Sequence, residues 1–233
     1  MFPVGDQNVR GSHLPIVTWL LVGINVLVFL YELTLGSSAL DTFFQTYGVV
    51  PAQILAGQNL FSLLASMFIH GGWLHIGGNM LFLAIFGDNV EAVMGKILYV
   101  LFYLAGGLAA SALQIAISPG STVPSIGASG AIAAVMGAYA IMFPGARVRV
   151  LLFFFFIVQV TWVRALIFIG IWFVLQFLYG LASLGAASQG GVAYWAHVGG
   201  FVPGVLAGLI FRARAQEMGL EPVRRRGRRG GLF

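Results

Sequence analysis

Residues 127–140, Gly-Ala-Ser-Gly-Ala-Ile-Ala-Ala-Val-Met-Gly-Ala-Tyr-Ala, put a serine, Ser129, in the first turn of what reads as a membrane-spanning helix. A polar side chain there is costly unless it faces a bundle interior or a water-filled cavity. The flanking sequence supports a membrane reading. No charge occurs between Lys96 and Arg147, or between Arg164 and Arg212. Each interval is long enough for two spans of roughly 20 residues. Of the 233 residues, 59% are hydrophobic and 8% charged, against about 25% charged in soluble domains. The fold class expected is all-α, a polytopic membrane protein.

Breaks at Ser118-Pro119-Gly120-Ser121 and Ser188-Gln189-Gly190-Gly191 divide the two intervals. Six helices are then expected near 15–33, 73–93, 95–117, 127–144, 161–183 and 195–212. Residues 1–14 would precede this membrane domain of 15–212, and 213–233 would follow it as a basic tail. The first apolar run has no small-residue cleavage site after it, so it reads as a retained span. Every Lys and Arg falls on one side of this arrangement, which predicts that both termini are cytoplasmic. Arg224-Arg225-Arg226-Gly227-Arg228-Arg229 reads as a disordered segment attracted to anionic lipid.

The net charge of +5 belongs to these loops and does not form a nucleic-acid surface. With no cysteine, disulfides and thiolate ligands are excluded. Two stretches fit no simple span. Residues 34–72 read as a structured outer loop, partly embedded, because irregular backbone exposed to lipid is not tolerated. Residues 148–158, with four consecutive phenylalanines, read as an interfacial helix or an early part of the fifth span.

The second, fourth and sixth helices all enter from the outer face. They carry His75 and Asn79, Ser129, and His197 near their starts, at similar depth. His75 and Asn79, four apart, share a helix face. Ser129, Ala133, Gly137 and Ala140 form one stripe of small residues, and His197, Gly200, Gly204 and Gly208 form another. Small stripes let helix backbones approach closely in lipid, so serine and histidine are expected to meet. Each residue alone has a plainer reading. A membrane serine usually bonds to its own backbone, and lone histidines and asparagines can link helices. Glu91 and Asp88 read as interfacial or structural, and His13 as a headgroup contact. The coincidence of depth, face and residue type favours a catalytic reading.

The ordered motifs His70-x4-His75-x3-Asn79, Gly127-Ala128-Ser129-Gly130 and Ala196-His197-x2-Gly200-x3-Gly204 resemble the rhomboid family of intramembrane serine proteases, over about residues 15–212. The resemblance implies a six-helix rhomboid-like bundle with Ser129 as nucleophile and His197 as general base. It also implies His75 and Asn79 as oxyanion-hole donors, a supporting His70, and single-span membrane proteins as substrates. Lateral access past the fifth helix, with Phe168, Trp172, Phe173 and Phe177, is part of what it implies; plain lipid contact is an equal reading of that aromatic face. No cofactor or metal is expected, and the location expected is a bacterial or archaeal cell membrane. Two family features are missing. Ala133 stands where some members have a tyrosine stacking on the histidine, and residues 34–72 lack the Trp-Arg pair of others.

With no third carboxylate implied, the His197 tautomer is expected to be held by packing alone. A substrate helix must unwind before attack, which favours small residues at the cut and helix breakers nearby. The competing readings are a catalytically inactive binder of membrane clients, a transporter, a zinc protease and a soluble serine hydrolase. No internal repeat supports transport. No His-Glu-x-x-His segment supports zinc. Ala131 replaces the second glycine of a nucleophile elbow, and no strand is expected before Ser129.

Overall fold

The computed structural model describes residues 2–9, 14–154, 157–184 and 191–220. Arg10, His13, most of the 188–191 break and the Arg224–Arg229 run lie outside the described residues. Helices occupy all six expected stretches: α1 (Ile16–Glu32), α5 (Trp73–Met94), α6 (Lys96–Ile117), α7 (Ser129–Met142), α8 (Ala165–Ser183) and α9 (Tyr194–Met218). By length and composition α6, α8 and α9 can each cross a membrane. So can α5 taken with Ser62–Phe68, a pair bent by 92°. The apolar α1 and α7 are shorter, at 17 and 14 residues.

Small residues decide how the central helices pack. All of α7 from Gly130 to Ala140 is buried, because α6 and α9 close on it from two sides. A methyl group at Gly200 would fall on the Gly130 carbonyl oxygen, and one at Gly204 on that of Ala134. Gly208 abuts Ala138 and Ile141. The face that α7 turns to α9 carries the expected Ser129, Ala133 and Gly137, where a Cβ on Gly137 would lie 2.5 Å from the Phe201 carbonyl oxygen, together with the backbone carbonyls of Gly130, Ala134 and Ala138. The adjacent face, Gly130 and Ala134, takes α6, whose Gly106 meets Ala134 and whose Ala110 meets Gly130, so α7 is buried all round.

Residues 34–72 are structured, as expected. They form α2 (Ser37–Tyr47), α3 (Pro51–Leu55), α4 (Ser62–Ala65) and a 3-10 turn at Ser66–Phe68. No Trp-Arg pair anchors this region. Val49 and Ser125 instead exchange backbone hydrogen bonds of 2.9 and 2.8 Å, tying it to the segment before α7. Buried Glu32, at the end of α1, accepts the His70 N–H at 3.2 Å. Glu91 proves structural: its carboxylate accepts the Val17 and Thr18 N–H groups and caps the start of α1.

Residues 148–158 depart from expectation. They belong to an antiparallel hairpin of β2 (Arg147–Phe154) and β3 (Ile157–Arg164), and β1 (Phe2–Gly5) pairs with the outer edge of β2. The reason is visible in the alternation Arg147-Val148-Arg149-Val150, whose valines are fully buried, and in the β-branched run Ile157–Val163. A period of two suits a strand and not a helix. Consequently α8 begins at Ala165, not 161, and α9 runs six residues past 212 to Met218. Among the described residues, all Lys and Arg lie at the end of the bundle that carries this sheet.

Candidate active site

Ser129 is the first residue of α7, and Gly127, two residues before it, has φ +121°, a conformation suited to glycine. A Cβ at Gly127 would also lie 2.6 Å from Nε2 of His75, so side-chain-free backbone is required there twice over. The Gly127 N–H donates to the Ser66 carbonyl at 2.9 Å, fixing the approach to the helix. Ser129 Oγ lies 2.8 Å from Nε2 of His197. The serine and histidine that the sequence analysis singled out are therefore in hydrogen-bond contact, at the end of the bundle opposite the sheet. His197 is buried in the first turn of α9, beside the close contact of Gly200 with Gly130.

His75 and Asn79 share a face of α5, and both line a cavity of about 600 Å³ together with Ser129, His197, Trp172 and the 123–126 segment. The Gly71 N–H donates to Nδ1 of His75 at 3.3 Å. An Nδ1 that accepts leaves the ring proton on Nε2, the nitrogen facing Gly127. The buried Nδ2 of Asn79 has no hydrogen-bond partner, and it lies 3.7 Å from the same Gly127 Cβ position. Two side-chain N–H donors thus border the cavity beside the start of α7. The helix start adds backbone N–H groups without intrahelical partners and the positive end of the dipole. An anion forming next to Ser129 would find donors already in place. His70 is buried behind them, its ring edge-on to His75 at 5.0 Å. Among the described residues no third His, Cys, Asp or Glu joins this pair as a metal-binding group.

Two contacts of His197 escaped the sequence analysis. Nδ1 lies 2.7 Å from Oε1 of Gln176 on α8, so the ring is not held by packing alone. Trp172, one turn earlier on α8, covers the ring at a centroid distance of 5.6 Å with 38° between planes. Tryptophan from α8 therefore lies over the ring for which Ala133 offers no aromatic partner. The signal was present in sequence: Gln176 is an amide in the midst of an apolar helix, and such groups face inward. The aromatic residues of α8 also turn partly inward. Phe168 packs against Phe82 and Phe86, and Phe173 stacks on Phe201 at 4.2 Å.

A family profile, the Rhomboid domain, matches residues 57–214. The chain is 30% identical over 202 residues to "Rhomboid protein 1, mitochondrial" of Saccharomyces cerevisiae, covering 84% of this chain and 54% of that protein. It is 34% identical over 125 residues to "Rhomboid protease GluP" of Bacillus subtilis, covering 53% of this chain and 24% of that protein. With "Rhomboid-like protein 11, chloroplastic" of Arabidopsis thaliana it shares 31% over 109 residues, 46% of this chain and 39% of the relative. The chain spans about half or less of the length of these relatives. They come from a fungus, a bacterium and a plant, so a bacterial or archaeal membrane is not singled out.

Proposed function

Since the chain belongs to the rhomboid family, we propose that it is an intramembrane serine endopeptidase with Ser129 as nucleophile and His197 as general base. The observation that carries this reading is the 2.8 Å contact between Ser129 Oγ and His197 Nε2 at the wall of an open cavity. His197 takes the hydroxyl proton as Oγ attacks a substrate carbonyl, then gives it to the leaving amine. Water resolves the acyl-enzyme by the same route in reverse. Negative charge on the tetrahedral oxygen is met by His75 Nε2–H, Asn79 Nδ2–H and the Ser129 N–H.

The substrate is a membrane-embedded segment of another protein, locally unwound so that its carbonyl reaches the start of α7. Small residues at the cut and helix breakers beside it favour that unwinding. Under the positive-inside rule the sheet end is cytoplasmic, with both termini, and cleavage occurs near the outer face. Incubating purified protein with a panel of single-span substrates, followed by mass spectrometry of fragments, tests the proposal. Wild type is expected to produce discrete cuts and to react with a fluorophosphonate at Ser129, and folded Ser129→Ala to do neither. Full cleavage by Ser129→Ala would overturn it. Folded wild type that neither cleaves nor labels would point instead to an inactive binder of membrane clients.

A further inference from the structure

The dyad proposed above lacks a carboxylate, yet α8 grips its imidazole from two directions. Gln176 Oε1 stands 2.7 Å from Nδ1, and Trp172 lies across the ring. We infer that Gln176 is a positioning residue that sets the His197 tautomer, with Trp172 fixing the plane of the ring; the kinetic part of this inference rests on the protease reading.

An amide oxygen can only accept, so the hydrogen on the neutral ring is held at Nδ1. Nε2 then presents its lone pair to Ser129 Oγ at 2.8 Å, the arrangement in which it can take the hydroxyl proton. With the carboxamide oxygen toward the ring, the other tautomer would set two lone pairs against each other between Nδ1 and Oε1; an amide turned to donate would satisfy Nδ1 but leave Nε2 with no lone pair for the hydroxyl proton. Once Nε2 is protonated, the Nδ1–H···Oε1 bond becomes charge-assisted and strengthens. Gln176 therefore favours both the resting tautomer and the imidazolium that forms during attack. A carboxylate could do the same, at the desolvation cost of a charge within an apolar bundle. A carboxamide avoids that cost. The two gripping residues are four apart on one face of α8, so a single helix orients the base.

The test combines spectroscopy with kinetics on the full chain in detergent micelles. Protein labelled with 15N-histidine, with His197 signals assigned by their loss in His197→Ala, reports the tautomer directly. Wild type should show a protonated Nδ1 and a lone-pair Nε2. Gln176→Met, which keeps the volume and removes the acceptor, should show a tautomer mixture. Its kcat should fall roughly ten- to hundred-fold, as for loss of a part-buried hydrogen bond to a group that becomes charged, with KM within about two-fold of wild type by the same reasoning. Gln176→Glu keeps an acceptor at Nδ1 and should recover most of the loss in kcat. A wild-type His197 protonated at Nε2 overturns the inference, as does wild-type kcat in Gln176→Met. Should Gln176→Met fail to fold, the wild-type spectrum and Gln176→Glu still decide. If wild type cleaves nothing but its Nδ1–H depends on Gln176, the protease reading falls and the tautomer assignment stands.

Discussion

Asn79 holds the most revealing single atom of the site. Its amide nitrogen is buried, with 8% of the residue exposed, and has no hydrogen-bond partner. No protein group accepts from this donor, so the fold draws no internal hydrogen bond from it. Beside Ser129, the proposed nucleophile, such a donor is free for an oxygen that would become charged only during reaction. Asn79→Ala should therefore lower kcat by roughly 10²–10³ while leaving thermal stability in detergent unchanged or raised. Parallel loss of activity and melting temperature would assign Asn79 to structure instead. His75 complements it, because the Gly71 N–H at Nδ1 commits its ring to donate from Nε2. Histidine and asparagine at this spacing were recognisable as candidates. Which nitrogen of His75 donates was not, since that depends on a backbone group of the preceding turn.

At the scale of elements, the contact of α7 with α9 positions the site. Gly200, Gly204 and Gly208 bring the α9 backbone against α7 carbonyls, leaving no space for a side chain. Gly204→Leu should force these helices apart, at a cost of about 1–3 kcal/mol or more, and separate His197 from Ser129. The expected result is a lower melting temperature in detergent together with loss of activity. Leu209→Val, at an exposed position of the same helix, should change neither. Equal stability of Gly204→Leu and wild type would refute the packing argument. The hairpin teaches the reverse lesson about elements. Its strands alternate with a period of two, but hydrophobicity summed over the segment resembles that of a span.

Over the whole molecule, the first and last described segments meet beneath the bundle. Val9 bridges to Leu220, β1 pairs with β2, and the Val9 N–H donates to Asn89 Oδ1 at 2.8 Å. Asp6 Oδ2 accepts from the Tyr139 hydroxyl at 2.5 Å and from Asn89 Nδ2 at 2.8 Å, which joins the N-terminal segment to α5 and α7. Burial raises the Asp6 carboxyl from an ordinary 3.8 to about 8, outweighing the hydrogen bond from Tyr139, with Asp88 adding repulsion. The folded state thus holds this proton more tightly than the unfolded chain does. Its contribution to stability is complete below about pH 4 and is lost as pH rises toward 8. Between pH 5 and pH 9 the melting temperature of wild type should fall more steeply than that of Asp6→Asn. Parallel slopes for the two proteins would rule out Asp6 as the titrating group.

The sequence by itself determined the six helical stretches and the candidates Ser129, His197, His75 and Asn79. Apolar length and helical spacing are local properties, readable along one segment. Only the tertiary structure decided that α6 closes the other side of α7, that Arg147–Phe154 and Ile157–Arg164 pair as strands sealed by β1, and that Gln176 and Trp172 hold His197. Each of these depends on a partner distant in the chain: Ala110 of α6 pressing on Gly130, Phe2–Gly5 pairing with β2, α8 leaning on α9. A polar side chain in an apolar helix announces that it must face inward. What it faces is chosen by the packing of helices, and that packing is a property of the whole bundle.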